Sequence, residues 1–208
     1  MGEQVLERDR TRRLVDVLRA APSLMRVLTT VRALGLSDWL VFSGAVYQPV
    51  LNHLTGRAWD YGIKDYDIGY FDAADLSYEA EDAVIRRVAS VFDEPLSSMV
   101  EVRNQARVHL WFQARFNEAY TPLSRTAEAL ERFTSPLFAV GVRLEADDRL
   151  HVEAPFGLAD LFTLRLRPNP LRRTSGFERI ARRAACRWPE LVIETDSPLH
   201  SPAGSEDT

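Results

Sequence analysis

The segment of residues 64–72, Lys-Asp-Tyr-Asp-Ile-Gly-Tyr-Phe-Asp, constrains this chain more than any other. Its aromatic and β-branched residues favour a β-strand, in which side chains two positions apart leave the same face. Asp65 and Asp67 therefore project side by side, and two such carboxylates repel each other unless water or a cation lies between them. Hard divalent cations prefer carboxylate oxygens, so the pattern indicates a metal site. The alternative, that both are solvated residues of a loop or an edge strand, is open at this point.

A short apolar run before this segment, residues 38–42, predicts a buried strand that ends at Ser43 and Gly44. Residues 46–54 then follow a helical pattern. A strand, a Ser-Gly bend and a helix together present backbone N–H groups and a hydroxyl to an anion, and Gly44 lets a phosphate approach the backbone closely. The competing interpretation is an ordinary turn in which Ser43 is the helix N-cap. Pro49 predicts a kink or an irregular start of this helix.

The rest of the sequence predicts helices and further strands. Two helices are expected within residues 4–34, separated near Pro22 and ended by Gly35, and others at 75–92, 122–132, 158–164 and 177–188. Strands are expected at 97–103, 138–144 and 150–152. Asp75 or Ser77 is the expected N-cap of the helix at 75–92. Residues 104–112 fit either a helix capped by Asn104 or a continuation of the preceding strand.

Composition narrows the functional classes. The chain has 208 residues, of which 46% are hydrophobic, and this fits one domain with appendages or two small domains. The net charge of -4 gives no general attraction to nucleic acid or to an anionic membrane. Cys186 is the single cysteine, so an intrachain disulfide is excluded. No signal peptide or membrane-spanning run is recognisable, so we expect a cytoplasmic protein without a membrane partner.

Four segments in this order resemble the nucleotidyltransferase superfamily that includes DNA polymerase β, and more narrowly a bacterial branch known as nucleotidyltransferase-family proteins. They are residues 42–46, residues 63–67 with 70–72, residues 101–111 and residues 154–162. The resemblance covers residues 36–170. Two departures are visible: the gap from Gly44 to Asp65 is longer than usual, and the bend is Ser-Gly where many members have Gly-Ser.

The resemblance implies an α+β fold, a mixed β-sheet of the minimal nucleotidyltransferase type flanked by helices. Added to it are an N-terminal helical extension at 1–35 and a C-terminal helix at 171–193, around a core at 36–170. Residues 194–208 are polar and rich in proline and serine, and we predict that they are disordered.

The resemblance also implies metal-dependent transfer of a nucleoside monophosphate from a nucleoside triphosphate, such as ATP, to an unknown hydroxyl acceptor, with release of pyrophosphate. Asp65, Asp67 and Glu101 would be the catalytic residues and the ligands of Mg²⁺ or Mn²⁺. Glu101 lies on the polar face of its predicted strand, because Val100 and Val102 form the opposite, apolar face. The alternative for Glu101 is a solvent-facing residue paired with Arg103.

Several residues are candidates for phosphate or nucleotide contacts, because amides, hydroxyls and cationic side chains match phosphate oxygens. These are Ser43, Gly44, Lys64, Arg103, Asn104 and Arg107. For the arginines, a surface salt bridge is the competing role. The basic helix at 177–188 either lies against the acidic site or presents a solvated face.

Two other functions fit the same residues. One is a catalytically inactive relative that binds or senses a nucleotide in the same cleft. The other is a metal-dependent phosphoesterase, since paired aspartates also serve hydrolysis. The acceptor, a small molecule, a protein or an RNA end, is not indicated by the sequence.

Overall fold

The computed structural model describes residues 2–171 and 176–194. Its helices are α1 Gly2–Arg19, α2 Pro22–Leu34, α3 Gly44–Leu54, α4 Tyr78–Ala89, α5 Leu96–Met99, α6 Val108–Phe116, α7 Ala159–Phe162 and α8 Phe177–Arg187. Short 3₁₀ helices cover Gln105–Arg107, Thr126–Arg132 and Pro136–Phe138. The strands are β1 Leu40–Phe42, β2 Tyr66–Tyr70, β3 Val100–Asn104, β4 Gly141–Leu144, β5 Leu150–Glu153, β6 Arg165–Leu166 and β7 Val192–Ile193.

The two N-terminal helices form as their sequence predicts. Pro22 occupies the first turn of α2, where its missing N–H costs no hydrogen bond. Gly35 ends the helix with φ of 63° and donates its N–H to the carbonyl of Arg32, a conformation that glycine adopts without strain. Leu24, Leu28 and Val31 lie on the buried side of α2 and pack into the main hydrophobic core. These helices therefore support the sheet by apolar packing.

The central sheet is mixed, which confirms the predicted α+β class. Its strand order is β3-β2-β1-β4-β5, with β2 parallel to β3 and the other neighbours antiparallel. In the register, Asp67 pairs with Phe42 of β1 on one side and with Glu101 of β3 on the other. The sheet thus brings the end of β1, the middle of β2 and the start of β3 to one place.

The C-terminal helix packs onto the same core as the N-terminal helices. Trp188, which is 1% exposed, donates its indole N–H to Oδ1 of Asn52 in α3 at 2.9 Å. Strands β6 and β7 pair in parallel beside it. One hydrophobic cluster includes Leu14, Val41 and Trp188, so residues of all three predicted segments, 1–35, 36–170 and 171–193, share it. Residues 195–208 of the predicted disordered tail lie outside the described residues.

Some local predictions need correction. Residues 97–99 are helical, because the N–H of Ser97 bonds the carbonyl of Asp93 and the strand begins only at Val100. The predicted helix at 122–132 is a 3₁₀ helix over Thr126–Arg132, in which Ala127 and Leu130 are buried at the three-residue period of that helix. Residues 104–112 take the helical alternative. The helix α3 runs through Pro49, and its irregularity lies at Ser43 instead.

In the described part of the chain, no helix combines the length and the apolar character that crossing a membrane requires.

Candidate active site

The bend at Ser43 has a backbone conformation that serine rarely adopts. Its φ is 61° and its ψ is −143°, close to a region populated almost only by glycine, where other residues cost about 1–3 kcal/mol. Ser43 occupies the N-cap position of α3, as the alternative interpretation expected, but its side chain makes no cap hydrogen bond. Instead the hydroxyl lies close enough to the carboxylate of Asp67 to lower the pKa of that group. The strained bend therefore aims its hydroxyl at the acidic residues of β2.

Gly44 begins α3, and a larger residue there would displace the side chain of Gln48. A Cβ at this position would lie 2.5 Å from Nε2 of Gln48, one turn later in the same helix. Gln48 is 6% exposed, and its Oε1 is buried without a hydrogen-bond partner among the described residues. The first turn of α3 thus carries backbone N–H groups, a serine hydroxyl and a buried amide at one place. Such a helix N-terminus favours an anion.

Three carboxylates meet beside this bend. Asp65 precedes β2, Asp67 lies within it, and both are half-buried, whereas Glu101 is the register partner of Asp67 and is exposed. Val102 is 1% exposed on the opposite face of β3, so Glu101 lies on the polar face of its strand, as predicted. Asp65 and Glu101 both act electrostatically on Asp67. The structure therefore brings together the three acidic residues and the Ser43 bend.

The environment of Asp67 opposes its ionisation. Burial, followed by the charge of Asp65, raises the pKa of Asp67 from 3.8 to about 6, and the charge of Glu101 adds to this. The hydroxyl of Ser43 and the charge of Arg103 lower the pKa and offset part of the effect. The repulsion between the carboxylates is thus only partly compensated by the surrounding protein, which is the situation that a bound cation would relieve.

The donor set fits a hard cation, although the protein alone does not complete its coordination. Within residues 2–171 and 176–194, no group of three or more His, Cys, Asp or Glu side chains is arranged to hold a metal ion by itself. Mg²⁺ is usually held by one or two carboxylates, with waters and substrate phosphates as its other ligands. The half-buried aspartates with their partly compensated charge match that pattern better than they match a closed protein cage.

The cationic candidates divide into two groups. Lys64, the only lysine of the sequence, and Arg103 are exposed, and both flank the acidic residues in the chain. Arg103 donates to the carbonyl of Val102 at 2.7 Å and acts electrostatically on Asp67. Arg103 therefore lies near the site, and Lys64 directly precedes it.

Asn104 and Arg107 have structural partners instead. Asn104 is 2% exposed, and its side-chain amide exchanges hydrogen bonds with the backbone of Asp72. Arg107 is buried, pairs with Glu81, and donates Nε to the carbonyl of Leu76 at 2.7 Å. Because these bonds use their polar atoms within the fold, we leave both residues out of the nucleotide site. The pairing of Arg107 with Glu81 was not predictable from local patterns, because Glu81 lies on a separate helix.

Sequence reasoning missed two residues beside the aspartates. Arg187 of α8 donates to the carbonyl of Gly62 at 3.4 Å, just before the acidic segment. Burial raises the pKa of Tyr47, the charge of Arg187 lowers it, and the charges of Asp65 and Asp67 raise it. Tyr47 thus lies near both aspartates, and Arg187 lies near Tyr47 and Gly62. The helical spacing of Tyr47 after Ser43 was a usable signal, whereas nothing in the sequence linked Arg187 to Gly62.

The comparisons with known proteins identify a family and a shared fold. A family model described as Nucleotidyltransferase matches residues 29–193. Among solved structures, an NMR structure said to reveal a CCA-adding enzyme head domain aligns with a TM-score of 0.70 and 23% identity, over 88% of this chain and 95% of that chain. This likeness shows a shared fold.

A structure of a tRNA-processing enzyme complex aligns with a TM-score of 0.46 and 20% identity, over 81% of this chain and 43% of that chain, which is too weak for structural inference. The comparison with curated proteins finds no match.

Proposed function

Because the chain belongs to the nucleotidyltransferase family, we propose that it transfers a nucleoside monophosphate from a nucleoside triphosphate to a hydroxyl acceptor with the help of Mg²⁺ or Mn²⁺. The observation that supports this most is the pairing of Asp67 with Glu101 in neighbouring strands, together with the proximity of the Ser43 hydroxyl to Asp67. Carboxylates that bind a cation and a bend that binds phosphates then share one cleft.

The proposed reaction is a single displacement at the α-phosphorus. The acceptor oxygen forms a bond to this phosphorus while the bond to the bridging oxygen of the β-phosphate breaks, and pyrophosphate leaves with the electron pair. The acceptor proton passes to Glu101, whose exposed carboxylate is accessible to a substrate. Because phosphoryl-type transfers depend mainly on positioning and electrostatics, a few well-placed side chains suffice.

Asp65 and Asp67 would hold the cation, with Glu101 beside them. A divalent cation bound there supplies charge neutralisation at the phosphate oxygens and orients the reacting groups. Ser43 keeps Asp67 in place through its hydroxyl, and the strain of the bend is part of that arrangement. The carboxylates thus act as ligands, and only Glu101 is assigned a proton.

The remaining residues would hold the triphosphate. The N–H groups at the start of α3, reached over Gly44, face the β- and γ-phosphates. Lys64, Arg103 and Arg187 offset the charge of the pyrophosphate that leaves. Of these, Arg187 is anchored by Gly62, so its guanidinium is held beside the acidic segment.

Calorimetry tests the site assignment. We expect a non-hydrolysable triphosphate to bind the wild-type protein only when Mg²⁺ is present, and binding to be lost in Asp65→Asn/Asp67→Asn. The matched control is Asp93→Asn, since Asp93 is an exposed aspartate paired with Arg26 at the surface. Unchanged binding in the double variant would show that the aspartates do not form the site.

The products then separate the candidate functions. An acceptor panel includes an RNA 3′ end, because the fold is shared with a CCA-adding enzyme head domain, together with small hydroxyl compounds and the protein itself. Release of pyrophosphate supports nucleotidyl transfer, and release of orthophosphate supports a phosphoesterase. Nucleotide affinity with neither product supports a binding or regulatory relative.

A further inference from the structure

A cavity of about 430 Å³ opens directly beside Ser43. Its walls are largely aromatic and apolar, and they come from α3, α6, α8 and the 3₁₀ segments between them: Tyr47, Phe112, Phe116, Phe133, Phe138 and Ile180. We name this cavity the aromatic pocket. Its volume falls within the range of pockets that bind small molecules, which is about 300–1,000 Å³.

The aromatic pocket is continuous with the candidate active site through two residues. Ser43 lines the pocket, and its hydroxyl lies close to Asp67. Tyr47 lines it as well, and its ring lies against Phe138 with centroids 4.7 Å apart. A group at the Ser43 end of the pocket therefore lies close to a triphosphate held at the Ser43–Gly44 bend.

We propose that the aromatic pocket binds the nucleobase and ribose of the donor nucleoside triphosphate. This rests on the proposed function, because a base is held beside Ser43 only if its phosphates are. The base and the triphosphate are joined by a single sugar, so a cavity that shares Ser43 with the phosphate-binding bend is within its reach.

The chemistry of the walls favours a base over an aliphatic group. Phe112 and Phe116 present neighbouring rings with centroids 4.7 Å apart, and Phe116 remains 50% exposed. Stacking of a base on aromatic side chains contributes about 1–3 kcal/mol and tolerates any base, since every base has a π-face. Arg179 is exposed at the pocket and adds a cation at its polar margin. The pocket thus provides affinity for a base with little selectivity among bases.

The test compares a ligand that has a base with one that lacks it. Calorimetry with Mg²⁺ measures the Kd of α,β-methylene ATP and of inorganic tripolyphosphate for the wild type, Phe116→Ala and Leu110→Ala. Leu110 is the matched control, because it lies on the same helix, is 55% exposed and does not line the pocket.

We expect the wild type to bind the nucleotide at least tenfold more tightly than tripolyphosphate. Phe116→Ala should weaken the binding of the nucleotide about tenfold and leave the Kd of tripolyphosphate unchanged. Leu110→Ala should change neither Kd. A second variant, Thr134→Trp, fills the pocket from another wall and should have the same selective effect, so the test does not depend on the folding of Phe116→Ala.

The contrary results are separable. Equal affinity for the two ligands in the wild type, or equal loss of both in the pocket variants, overturns the pocket while the proposed function stands. Pocket variants that weaken only the binding of an acceptor also overturn the nucleobase assignment, and they assign the cavity to that acceptor. Absence of Mg²⁺-dependent binding of either ligand overturns both the proposed function and the pocket.

Discussion

One acidic residue near the end of β3 and a group of carboxylates near its start differ in how far the protein compensates their charge. Near its end, Glu81 is 5% exposed, pairs with Arg107 and accepts the N–H of Asn104 at 2.8 Å. Near its start, Glu101 and the two aspartates of the neighbouring strand have Ser43 and Arg103 as partial compensation. A buried carboxylate that only stabilises the fold is paired. A group of carboxylates whose charge is only partly offset fits the proposed cation site.

The largest expected effect is on the rate of the reaction and comes from the partly compensated carboxylates beside Ser43. Asp67→Asn should lower the rate of pyrophosphate release by roughly a thousandfold or more, about 4 kcal/mol, because the cation and its charge neutralisation are lost. Circular dichroism should show an unchanged fold. Asp93→Asn, at the surface, should keep full activity, and a similar loss in that control would mean that the effect is not specific to the site.

The buried ion pair of Glu81 and Arg107 should contribute to stability and not to activity. Arg107→Ala should lower the free energy of unfolding by about 3 kcal/mol, because Glu81 stays buried without its partner. The control is Arg86→Ala, which removes an exposed pair with Asp82 on the same helix as Glu81 and should cost no more than about 1 kcal/mol. Urea unfolding measures both, and equal costs would show that burial does not distinguish the two pairs.

The raised pKa of Asp67 predicts a dependence of stability on pH. In the folded protein this carboxyl holds its proton up to about pH 6, and in the unfolded chain only to about 3.8. The wild type without divalent cation should therefore lose stability as the pH rises through this window, by about 2 kcal/mol after allowance for solvent screening. Asp67→Asn should lack the loss.

Unfolding measured from pH 4 to pH 8 tests this prediction. Added Mg²⁺ should restore stability to the wild type at pH 8 and not to the variant, since only a ligand that binds the folded state stabilises it. A wild type as stable at pH 8 as at pH 4, without metal, would mean that the repulsion is compensated.

The smallest expected effect is on stability at the Ser43 bend, where two variants separate backbone strain from the role of the hydroxyl. Ser43→Gly should raise the free energy of unfolding by about 1 kcal/mol, because glycine adopts a φ of 61° without cost. It should also lower activity, since the hydroxyl that holds Asp67 is removed. Ser43→Ala removes the hydroxyl and keeps the strain, so it should lose activity without gaining stability. Thermal unfolding and pyrophosphate release measure the two effects, and a more stable Ser43→Ala would argue against strain.

Local patterns predicted the parts of this site that a single segment defines. The order of strand, bend, helix and Asp-x-Asp strand follows from the residues of 38–72, and the outward face of Glu101 follows from the alternation of Val100 and Val102. Contacts between distant segments were not accessible in this way. The contact of Arg187 with Gly62, and the pairing of Arg107 with Glu81, are settled only when helices pack on the sheet. The aromatic pocket likewise gathers rings from separate segments.

The central claim is that Asp65, Asp67 and the Ser43–Gly44 bend hold a cation and a triphosphate across one cleft. A crystal structure of the protein with Mn²⁺ and α,β-methylene ATP tests this most directly, because manganese is located by its anomalous scattering. We expect the manganese peak between the carboxylates of Asp65 and Asp67, with the β- and γ-phosphates at the start of α3. A manganese ion away from both aspartates, or phosphates bound elsewhere on the protein, would contradict it.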